Sequence, residues 1–415
     1  MTEETKTMTT TTLVETEKIE IESGNATSPK GFRAAGVHCG IKREKPDLAL
    51  LVSDVPASVA GVFTTNKVKA APVRYTQAAV ARGRAQAIVV NSGNANACTG
   101  EPGLADATEM AHLTAAALDF DPELVLVAST GVIGVPLPME AIRAGIPRAA
   151  LALGPDGDAA AEAIRTTDRY PKTAAVRLEI GGVTVTIGGM AKGAGMIHPN
   201  MATTLCFLTT DAALPPAVLR LALARAVADS FNSITVDGDT STNDTVLLLA
   251  NGRAGGPTIT NGSELKHFTA GLTAVASELA KMVVRDGEGA TRLVAIEVSG
   301  AVSDVEAHQA AMTVANSLLV KTALHGGEPN WGRILAALGR SGVEMAEEKT
   351  DVLFGDLEVV HGGLGVQGVW NAAAAALEEK EITVKIRLGI GSGAARVWTC
   401  DLSEEYVRIN GSYTT

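Results

Sequence analysis

The feature that most constrains this chain lies near its midpoint, where a glycine-rich polar run meets a strand pattern at Thr203. The run is Lys192-Gly-Ala-Gly-Met-Ile-His-Pro-Asn-Met-Ala202. From Thr203 onward the residues are apolar or β-branched, which is typical of a buried strand. The plainest interpretation is a flexible loop that enters a strand of the core.

Thr203 also has a chemical possibility that an ordinary loop residue lacks. A threonine hydroxyl is a weak nucleophile near pH 7 unless a base removes its proton. If the chain were cut before Thr203, the new α-amino group would be such a base. Its reference pKa is about 7.7–8.0, so a useful fraction is unprotonated near neutral pH.

The same hydroxyl is able to make the cut. Attack on the carbonyl carbon of Ala202 gives an ester by an N-to-O acyl shift, and water then opens the ester. Ala202 is small and leaves its carbonyl accessible, and Gly193 and Gly195 permit the backbone angles of a strained turn. On the residue pattern alone, the simple loop and strand remains the alternative.

The length and charge of the chain limit the classes of protein. With 415 residues the chain is too long for one simple core, so two or three lobes are expected. A hydrophobic content of 46% with 20% charged residues is typical of a soluble globular protein, and 3% aromatics predicts a core of Ala, Val, Leu and Ile. A net charge of −11 argues against nucleic acid and anionic membranes as partners.

The cysteines and the N-terminus indicate a cytoplasmic protein. Cys39, Cys98, Cys206 and Cys400 are far apart, which predicts neither a zinc site nor a disulfide framework. The first 28 residues are rich in Thr and Glu and resemble neither a signal peptide nor a transit peptide. We therefore expect residues 1–28 to be a mobile tail.

Short apolar runs alternate with amphipathic segments along the chain, which predicts an α/β fold of mixed sheets covered by helices. Strands are expected at 48–52, 87–90, 124–128, 175–180, 183–187, 293–298, 382–388 and 395–400, and after Thr203. Helices are expected at 104–118, 215–229, 263–285 and 304–324, the third capped by Ser263 or Asn261. Gly181-Gly182 predicts a hairpin turn. The run 389–393 also predicts a hairpin, because a strand and not a helix follows its glycines.

Two loops carry residue types that suit a reaction site. Ser129-Thr-Gly131 ends a predicted strand, where main-chain amides and a hydroxyl are able to hold a negative oxygen, although such a triplet is also a common turn. Glu288 lies between two glycines after a helix and is expected to be exposed, as loop acids usually are. Asp237, Asp239 and Asp244 could suggest a calcium loop, but the glycine and the closing glutamate fall at the wrong offsets, so we expect no metal there. The stretch is similar to a signature of the family named below, and this resemblance implies acidic turns that brace the site.

Several motifs, in order, carry a resemblance to a known family. They are the Met201-Ala-Thr203 triplet with its surroundings, Ser129-Thr-Gly131, the Thr-Thr-Asp segment at 166–168, Pro329-Asn-Trp-Gly-Arg333, and the C-terminal Asn410-Gly-Ser-Tyr-Thr-Thr415. From about residue 30 to the last residue, the chain resembles the ornithine acetyltransferase (glutamate N-acetyltransferase) family. It departs from the family at Thr204, where Met is expected, and at Glu328, where aspartate is common. The Asn-rich loop 91–100 also resembles the family, but no chemistry is assigned to it, and the role of 329–333 stays open between structure and substrate pocket.

The resemblance implies a chain that cuts itself between Ala202 and Thr203. The products are an α chain, with residues 29–202 as its folded part, and a β chain of residues 203–415. The two chains fold together as one catalytic unit, similar to the self-cleaving aminopeptidases, with two lobes around the site and an α2β2 heterotetramer as the assembly.

The resemblance also implies the roles of the site residues. Thr203 is the nucleophile, and Thr130 and Gly131 form the oxyanion hole. Substrate contacts are implied at Thr166, Lys192, Thr203, Glu288, Asn410 and Thr415. Lys192 suits a substrate carboxylate and Glu288 suits an ammonium group.

The implied reaction is ping-pong transfer of the acetyl group from N2-acetyl-L-ornithine to L-glutamate in the cyclic arginine biosynthesis pathway. No cofactor is needed, because the acetyl group travels on Thr203, and some family members also accept acetyl-CoA. A self-cleaving hydrolase would share the nucleophile but pass the acyl group to water. A non-catalytic binding protein would remain a single uncut chain.

Overall fold

The computed structural model describes residues 19–198 and 204–412. The described residues form two β-sheets with helices packed on them. The strands are β1 (Phe32–Val37), β2 (Leu48–Phe63), β3 (Arg84–Asn94), β4 (Val125–Val132), β5 (Lys172–Ile180), β6 (Val183–Lys192), β7 (Leu205–Thr210), β8 (Thr245–Ala250), β9 (Leu293–Ala301), β10 (Asp351–Phe354), β11 (Leu357–His361), β12 (Leu364–Gly365), β13 (Glu381–Arg387) and β14 (Gly393–Cys400). The helices are α1 (Ala71–Val80), α2 (Gly100–Leu118), α3 (Met139–Leu151), α4 (Asp158–Ala163), α5 (Pro216–Ala228), α6 (Gly262–Arg285), α7 (Asp304–Ala315), α8 (Leu318–Gly326), α9 (Trp331–Gly339), α10 (Trp370–Ala376) and α11 (Glu404–Ser412).

The first sheet has the strand order β4-β3-β2-β8-β7-β6-β5, and β1 pairs with β2. It is mixed, since β3–β4 and β7–β8 are parallel pairs and its other pairs are antiparallel. All residues of β7 and β8 are buried, as expected for strands covered on both faces. The predicted α/β class with mixed sheets is confirmed.

The second sheet has the order β12-β11-β10-β13-β9-β14 and uses residues 351–400 together with β9. The hairpin predicted over residues 389–393 is wrong, because β9 lies between β13 and β14. Ile296 of β9 pairs with Val384 on one side and with Val397 on the other. The connection crosses the end of β9, where the amides of Ile390 and Gly391 both donate to the Gly300 carbonyl at 2.9 Å.

Helix α6 follows β8 of the first sheet and precedes β9 of the second sheet. The loop after this helix contacts the first sheet again. Its buried residues, among them Phe268, Leu272 and Leu279, pack in one core with Leu178 of β5 and Ile187 of β6. The helix ends at Arg285 with Asp286 as its C-cap, and two residues after Asp286 the Glu288 amide donates to the Ala194 carbonyl at 2.8 Å. The loop after α6 therefore lies against the glycine-rich loop after β6.

Two predictions about helices differ from the structure. The helix predicted over 304–324 is two helices, because Ser317 accepts a hydrogen bond from the Val320 amide and begins α8 as its N-cap. Helix α6 begins after Asn261, but no side-chain cap from Asn261 is present. The predicted hairpin at Gly181-Gly182 is confirmed, with φ values of 60° and 78° that suit a type I′ turn.

Residues 19–28 belong to the segment predicted as a mobile tail, and they lie against the first sheet. Glu22 forms an antiparallel bridge with Ala175, and Ala26 is fully buried. Within the described parts of the chain, no helix has the length and apolar character needed to cross a bilayer.

Candidate active site

Six of the predicted site residues line one cavity between the ends of β4 and β6, the loop after α6 and helix α11. They are Thr130, Gly131, Thr166, Lys192, Glu288 and Asn410. The predicted nucleophile Thr203, its neighbour Ala202 and the predicted contact Thr415 lie outside the described residues. The fold thus brings together side chains that are up to 280 positions apart in the sequence, from Thr130 to Asn410.

Thr130 and Gly131 lie inside the end of β4, because this strand continues to Val132, four residues beyond the predicted end at 128. Gly131 has a φ of 136°, and a Cβ there would overlap the main chain of Gly93 in the neighbouring strand β3. Only glycine fits this close approach of two backbones. The Asn-rich stretch 91–100, predicted as a loop, therefore begins inside β3, and Gly93 within it borders the Thr130–Gly131 pair. This structural role was not evident from the sequence.

Asn243 fixes the same strand end from the other side. Its Nδ2 donates to the carbonyls of Ser129 at 2.8 Å and of Ala95 at 2.7 Å. Because the Ser129 carbonyl belongs to the peptide that precedes Thr130, this buried amide holds the direction of the Thr130 main chain. Asn243 lies next to Asp244 in the acidic stretch, residues 237–244, and nothing in the local sequence predicts this role for it.

Lys192 is buried at the end of β6 and its ammonium joins two threonines of the cavity. Nζ donates to the Thr166 hydroxyl at 2.8 Å and to the Thr130 hydroxyl at 3.3 Å. Burial lowers the pKa of Lys192, and the nearby Asp168 carboxylate, 4.0 Å from Nζ, opposes that shift. The cavity thus contains a buried ammonium group that is suited to a substrate carboxylate.

A buried network of charges holds the Thr-Thr-Asp loop in place. Asp168 accepts hydrogen bonds from the amides of Gly193 at 2.7 Å and Thr166 at 3.0 Å, and it pairs with Lys172 at 2.7 Å. Lys172 is fully buried and also pairs with Asp286 at 2.7 Å. Burial alone would raise the pKa of Asp168, but the ammonium groups of Lys192 and Lys172 outweigh it and hold that pKa below its usual range.

The sequence analysis assigned no role to Asp168, Lys172 or Asp286. Asp168 was visible only as the last residue of the Thr-Thr-Asp motif, and Lys172 only as a residue before a strand. A surface location is the usual one for such residues. The ion pair of Lys172 with Asp286 joins positions that are 114 residues apart, and a single sequence does not reveal such a contact.

Glu288 is buried, whereas the sequence predicted an exposed loop acid. Its Oε2 accepts a hydrogen bond from Asn410 Nδ2 at 2.8 Å. A Cβ on Gly195 would overlap the Glu288 carboxylate, so the absence of a side chain at Gly195 provides the space for it. Asn410 and Glu288 thereby connect helix α11 to the glycine-rich loop after β6.

The acidic stretch braces the segment that leads toward residue 199. Asp237 accepts hydrogen bonds from the amides of Met196 at 2.6 Å and Ile197 at 2.9 Å and from the Tyr406 hydroxyl at 3.3 Å. Burial raises the pKa of Asp237, and the main-chain amides partly offset that shift. Met196 has a φ of 59°, a left-handed conformation that is unusual for a side-chain-bearing residue.

The cavity is lined by groups of both charges. Lys192 contributes an ammonium group, and Asp237, Asp239 and Glu288 contribute carboxyl groups. A ligand that carries both a carboxylate and an ammonium group matches this arrangement. An amino acid is such a ligand.

The Pro-Asn-Trp-Gly-Arg block does not line the cavity. Asn330 caps helix α9 by accepting a hydrogen bond from the Arg333 amide, and the Trp331 ring lies directly against Gly365. Arg333 donates to the Leu319 carbonyl at 2.9 Å. The structure therefore favours the structural interpretation of this block over the substrate pocket.

The fold and the cavity define an α/β protein with a small-molecule site built around a buried lysine and a Thr-Gly strand end. The ArgJ family model matches residues 33–415, and the chain belongs to the ArgJ family. This confirms the resemblance inferred from the motifs.

Two relatives of the same name match almost the whole chain, and a solved structure matches part of it. A protein of Symbiobacterium thermophilum, named arginine biosynthesis bifunctional protein ArgJ, is 56% identical over 95% of this chain and 99% of its own length. A protein of the same name from Geobacter sulfurreducens is 52% identical over 93% of this chain and 99% of its own. The solved ornithine acetyltransferase of Mycobacterium tuberculosis in complex with ornithine is 44% identical, covers 44% of this chain and 96% of its own, and has a TM-score of 0.41.

Proposed function

We propose that this chain is an acetyltransferase of arginine biosynthesis that moves the acetyl group of N2-acetyl-L-ornithine to L-glutamate through an acetyl-Thr203 intermediate. Family membership and the relatives' shared name support the pathway. The observation that carries the proposal is the convergence of Thr130, Gly131, Thr166, Lys192, Glu288 and Asn410 on one cavity, beside the segment that leads to Thr203.

The first step of the proposal is self-cleavage. The Thr203 hydroxyl attacks the carbonyl carbon of Ala202, the Ala202–Thr203 C–N bond breaks, and the nitrogen becomes the free α-amine of Thr203. Water then hydrolyses the resulting ester and releases the Ala202 carboxylate. The Thr203 amine remains as the base for its own hydroxyl.

The second step is acetyl transfer. The Thr203 hydroxyl gives its proton to the amine and attacks the acetyl carbonyl, and the negative oxygen is stabilised by donors at Thr130 and Gly131. Such a donor typically contributes about 3–4 kcal/mol to transition-state stabilisation. Ornithine leaves with the proton, and the amine of glutamate then takes the acetyl group from Thr203.

In this proposal the opposite charges that line the cavity orient the substrates. Lys192 and Thr166 bind the carboxylate of the amino acid, Glu288 lies near an ammonium group, and Asn410 and Thr415 contribute polar contacts from the C-terminus. No cofactor takes part, because the enzyme itself carries the acetyl group. The relatives are named bifunctional, which supports acetyl-CoA as a second donor.

The proposal includes the assembly and location implied by the family resemblance. The α chain, with residues 29–202 as its folded part, and the β chain, residues 203–415, form one catalytic unit. Two copies of each form an α2β2 heterotetramer in the cytoplasm.

The nucleophile is tested by Thr203→Ala, with Thr204→Ala as the matched control. Thr203→Ala is expected to remain a single full-length band on a denaturing gel and to transfer no acetyl group. Thr204→Ala is expected to be cut and active, because the Thr204 hydroxyl has no hydrogen-bond partner among the described residues. A Thr203→Ala chain that is still cut at the same bond would contradict the proposal.

The acceptor is tested by incubation with N2-acetylornithine in the presence and absence of glutamate. The transferase produces N-acetylglutamate and needs glutamate for continued release of ornithine. A self-cleaving hydrolase would instead release ornithine and acetate equally well without glutamate. An uncut wild-type chain would indicate the non-catalytic binding protein.

A further inference from the structure

Two buried side-chain oxygens at the start of β7 and β8 have no hydrogen-bond partner among the described residues. They are Oγ1 of Thr204 and Oδ2 of Asp244. Buried polar atoms nearly always have a partner, so an unpaired atom calls for an explanation. Thr204 is the residue directly after Thr203, and Asp244 has no part in the proposed mechanism so far.

Asp244 holds the main chain next to the candidate nucleophile. It is fully buried, and its Oδ1 accepts a hydrogen bond from the Thr204 amide at 3.0 Å. The parallel pairing of β7 with β8 adds the bond from the Thr245 amide to the Thr204 carbonyl at 3.0 Å. These two hydrogen bonds hold the Thr204 main chain. Because the Thr204 nitrogen is bonded to the carbonyl carbon of Thr203, they also restrain the residue that would become the new N-terminus.

The Thr64 hydroxyl lies close to Asp244 but does not donate to its other oxygen, Oδ2. Thr64 follows β2, and its amide donates to the Asp244 carbonyl at 3.0 Å. Its hydroxyl, however, gives its one proton to the Ser241 carbonyl at 2.7 Å. Oδ2 of Asp244 is therefore left either as an unpaired negative oxygen or as a protonated one.

The surroundings favour the protonated form. Burial raises the pKa of Asp244 well above its usual value, and the Thr204 amide, the nearby Thr64 hydroxyl and the ammonium of Lys192 on β6 only partly oppose this shift. A neutral acid also avoids the large cost of a buried charge without a direct ionic partner.

The charge of Asp244 matters for the base in the proposed reaction. A carboxylate close to the freed Thr203 amine would favour the ammonium form, raise the pKa of that amine and leave less of it able to take a proton. A neutral carboxylic acid has the same shape and keeps the bond to the Thr204 amide, but it does not have this effect.

We propose that Asp244 is a positioning residue for Thr203: as a neutral carboxylic acid, it anchors the Thr204 main chain without placing a negative charge beside the freed amine. This role rests on the proposed self-cleavage before Thr203. It assigns a function to a fully buried residue that is not among the residues lining the cavity.

The role is tested with Asp244→Asn and Asp244→Ala. Asn is always neutral, and its amide oxygen is able to accept the Thr204 N–H, so self-cleavage is expected within about threefold of wild type. The acid limb of the pH profile of acetyl transfer is expected to be unchanged. Ala leaves a buried amide without its acceptor, and both rates are expected to fall at least about tenfold.

Asp211 provides the matched control at the opposite end of β7. It is also fully buried and accepts main-chain hydrogen bonds, from Thr186 at 2.8 Å and Lys30 at 3.1 Å. Asp211→Ala removes a similar anchor away from Thr203, so it is expected to lower stability while the folded protein is cut at the wild-type rate. Circular dichroism and thermal unfolding monitor folding in all variants.

Different results would contradict different parts of the account. If wild type is cut but Asp244→Ala is cut and active at the wild-type rate, the role of Asp244 is wrong and the proposed function stands. An Asp244→Asn variant whose acid limb moves to lower pH would show an ionised Asp244, which also overturns the role. If Asp244→Ala does not fold, the Asp244→Asn pH profile still decides. An uncut wild-type chain would overturn the proposed function and this role together.

Discussion

Lys192 touches two threonines that have different tasks in the proposed reaction. The Thr130 hydroxyl lies beside Gly131 at the end of β4, whereas the Thr166 hydroxyl belongs to the loop held by Asp168. Both receive a hydrogen bond from the same ammonium. A donor to the developing negative oxygen acts on the rate of the chemical step, whereas a group that holds the substrate carboxylate acts mainly on binding.

Replacement of each threonine by valine separates these tasks. Thr130→Val is expected to lower kcat by about 10²–10³ with little change in KM, because one oxyanion donor is lost. Thr166→Val is expected to raise KM by about tenfold with a smaller effect on kcat. Steady-state kinetics with N2-acetylornithine measures both variants, and each is the control for the other. Equal effects of the two substitutions on KM alone would contradict the oxyanion role of Thr130.

The motifs in the sequence were sufficient to select the six cavity residues, but not their environment. Glu288 reads as an exposed loop acid, since nothing local indicates that Gly195 gives it a buried place. Lys172 and Asp286 appear as ordinary charged residues, because their pairing is a contact between distant segments. Whether a charged side chain is buried depends on contacts between distant segments of the chain, and these contacts cannot be predicted from a single sequence.

At the scale of elements, the parallel pair β3–β4 shapes the Thr130–Gly131 end of the cavity. Gly131 directly faces Gly93 across the pair. The neighbouring glycine Gly134 has a similar left-handed φ of 82°, but a Cβ there would have open space around it. Both positions therefore have a positive φ that favours glycine, but only Gly131 lies in close contact with the main chain of a neighbouring strand.

This difference gives a matched pair of alanine substitutions. Gly131→Ala is expected to push β4 away from β3 and to lower acetyl transfer by more than about tenfold, since the overlap is with main chain that cannot rotate away. Gly134→Ala is expected to cost about 1–2 kcal/mol of stability with activity retained. Activity assays together with thermal unfolding distinguish the two. Equal loss of activity in both variants would contradict the importance of the contact with Gly93.

Strands and helices with a clear hydrophobic period were predictable, and the connections were less so. The period of two in 175–187 and the Gly181-Gly182 turn predicted the β5–β6 hairpin. The same reasoning failed for 382–400, because β9 enters between β13 and β14 from an earlier part of the chain. The apolar period also continued across Asn316 and Ser317, where the N-cap at Ser317 separates α7 from α8.

At the scale of the molecule, one buried lysine joins the first sheet to the loop that precedes the second. Lys172 of β5 lies between Asp168, beside the cavity, and Asp286, at the end of α6. The main chain and side chain of Arg169 also bind Asp286, at 2.9 and 2.8 Å. This network fixes the positions of Thr166 and Glu288 relative to each other.

Removal of this lysine is expected to be costly. Lys172→Met leaves two buried carboxylates without their shared cation, so the free energy of unfolding is expected to fall by about 3–5 kcal/mol. The control is Arg143→Met, which removes the exposed pair with Glu109 and is expected to change stability little. Urea unfolding of both variants is the measurement. Similar, small effects of the two substitutions would show that the buried network does not hold the site together.

The central claim is that Thr203 frees its own amine and then carries the acetyl group. The most direct test is mass spectrometry of the purified protein, denatured after brief incubation with N2-acetylornithine and no glutamate. The account predicts two polypeptides, residues 1–202 and 203–415, with the second heavier by one acetyl group on Thr203 and restored to its unmodified mass when glutamate is added. A fully active protein that consists of one intact chain, or an acetyl group found on any other residue, would contradict it.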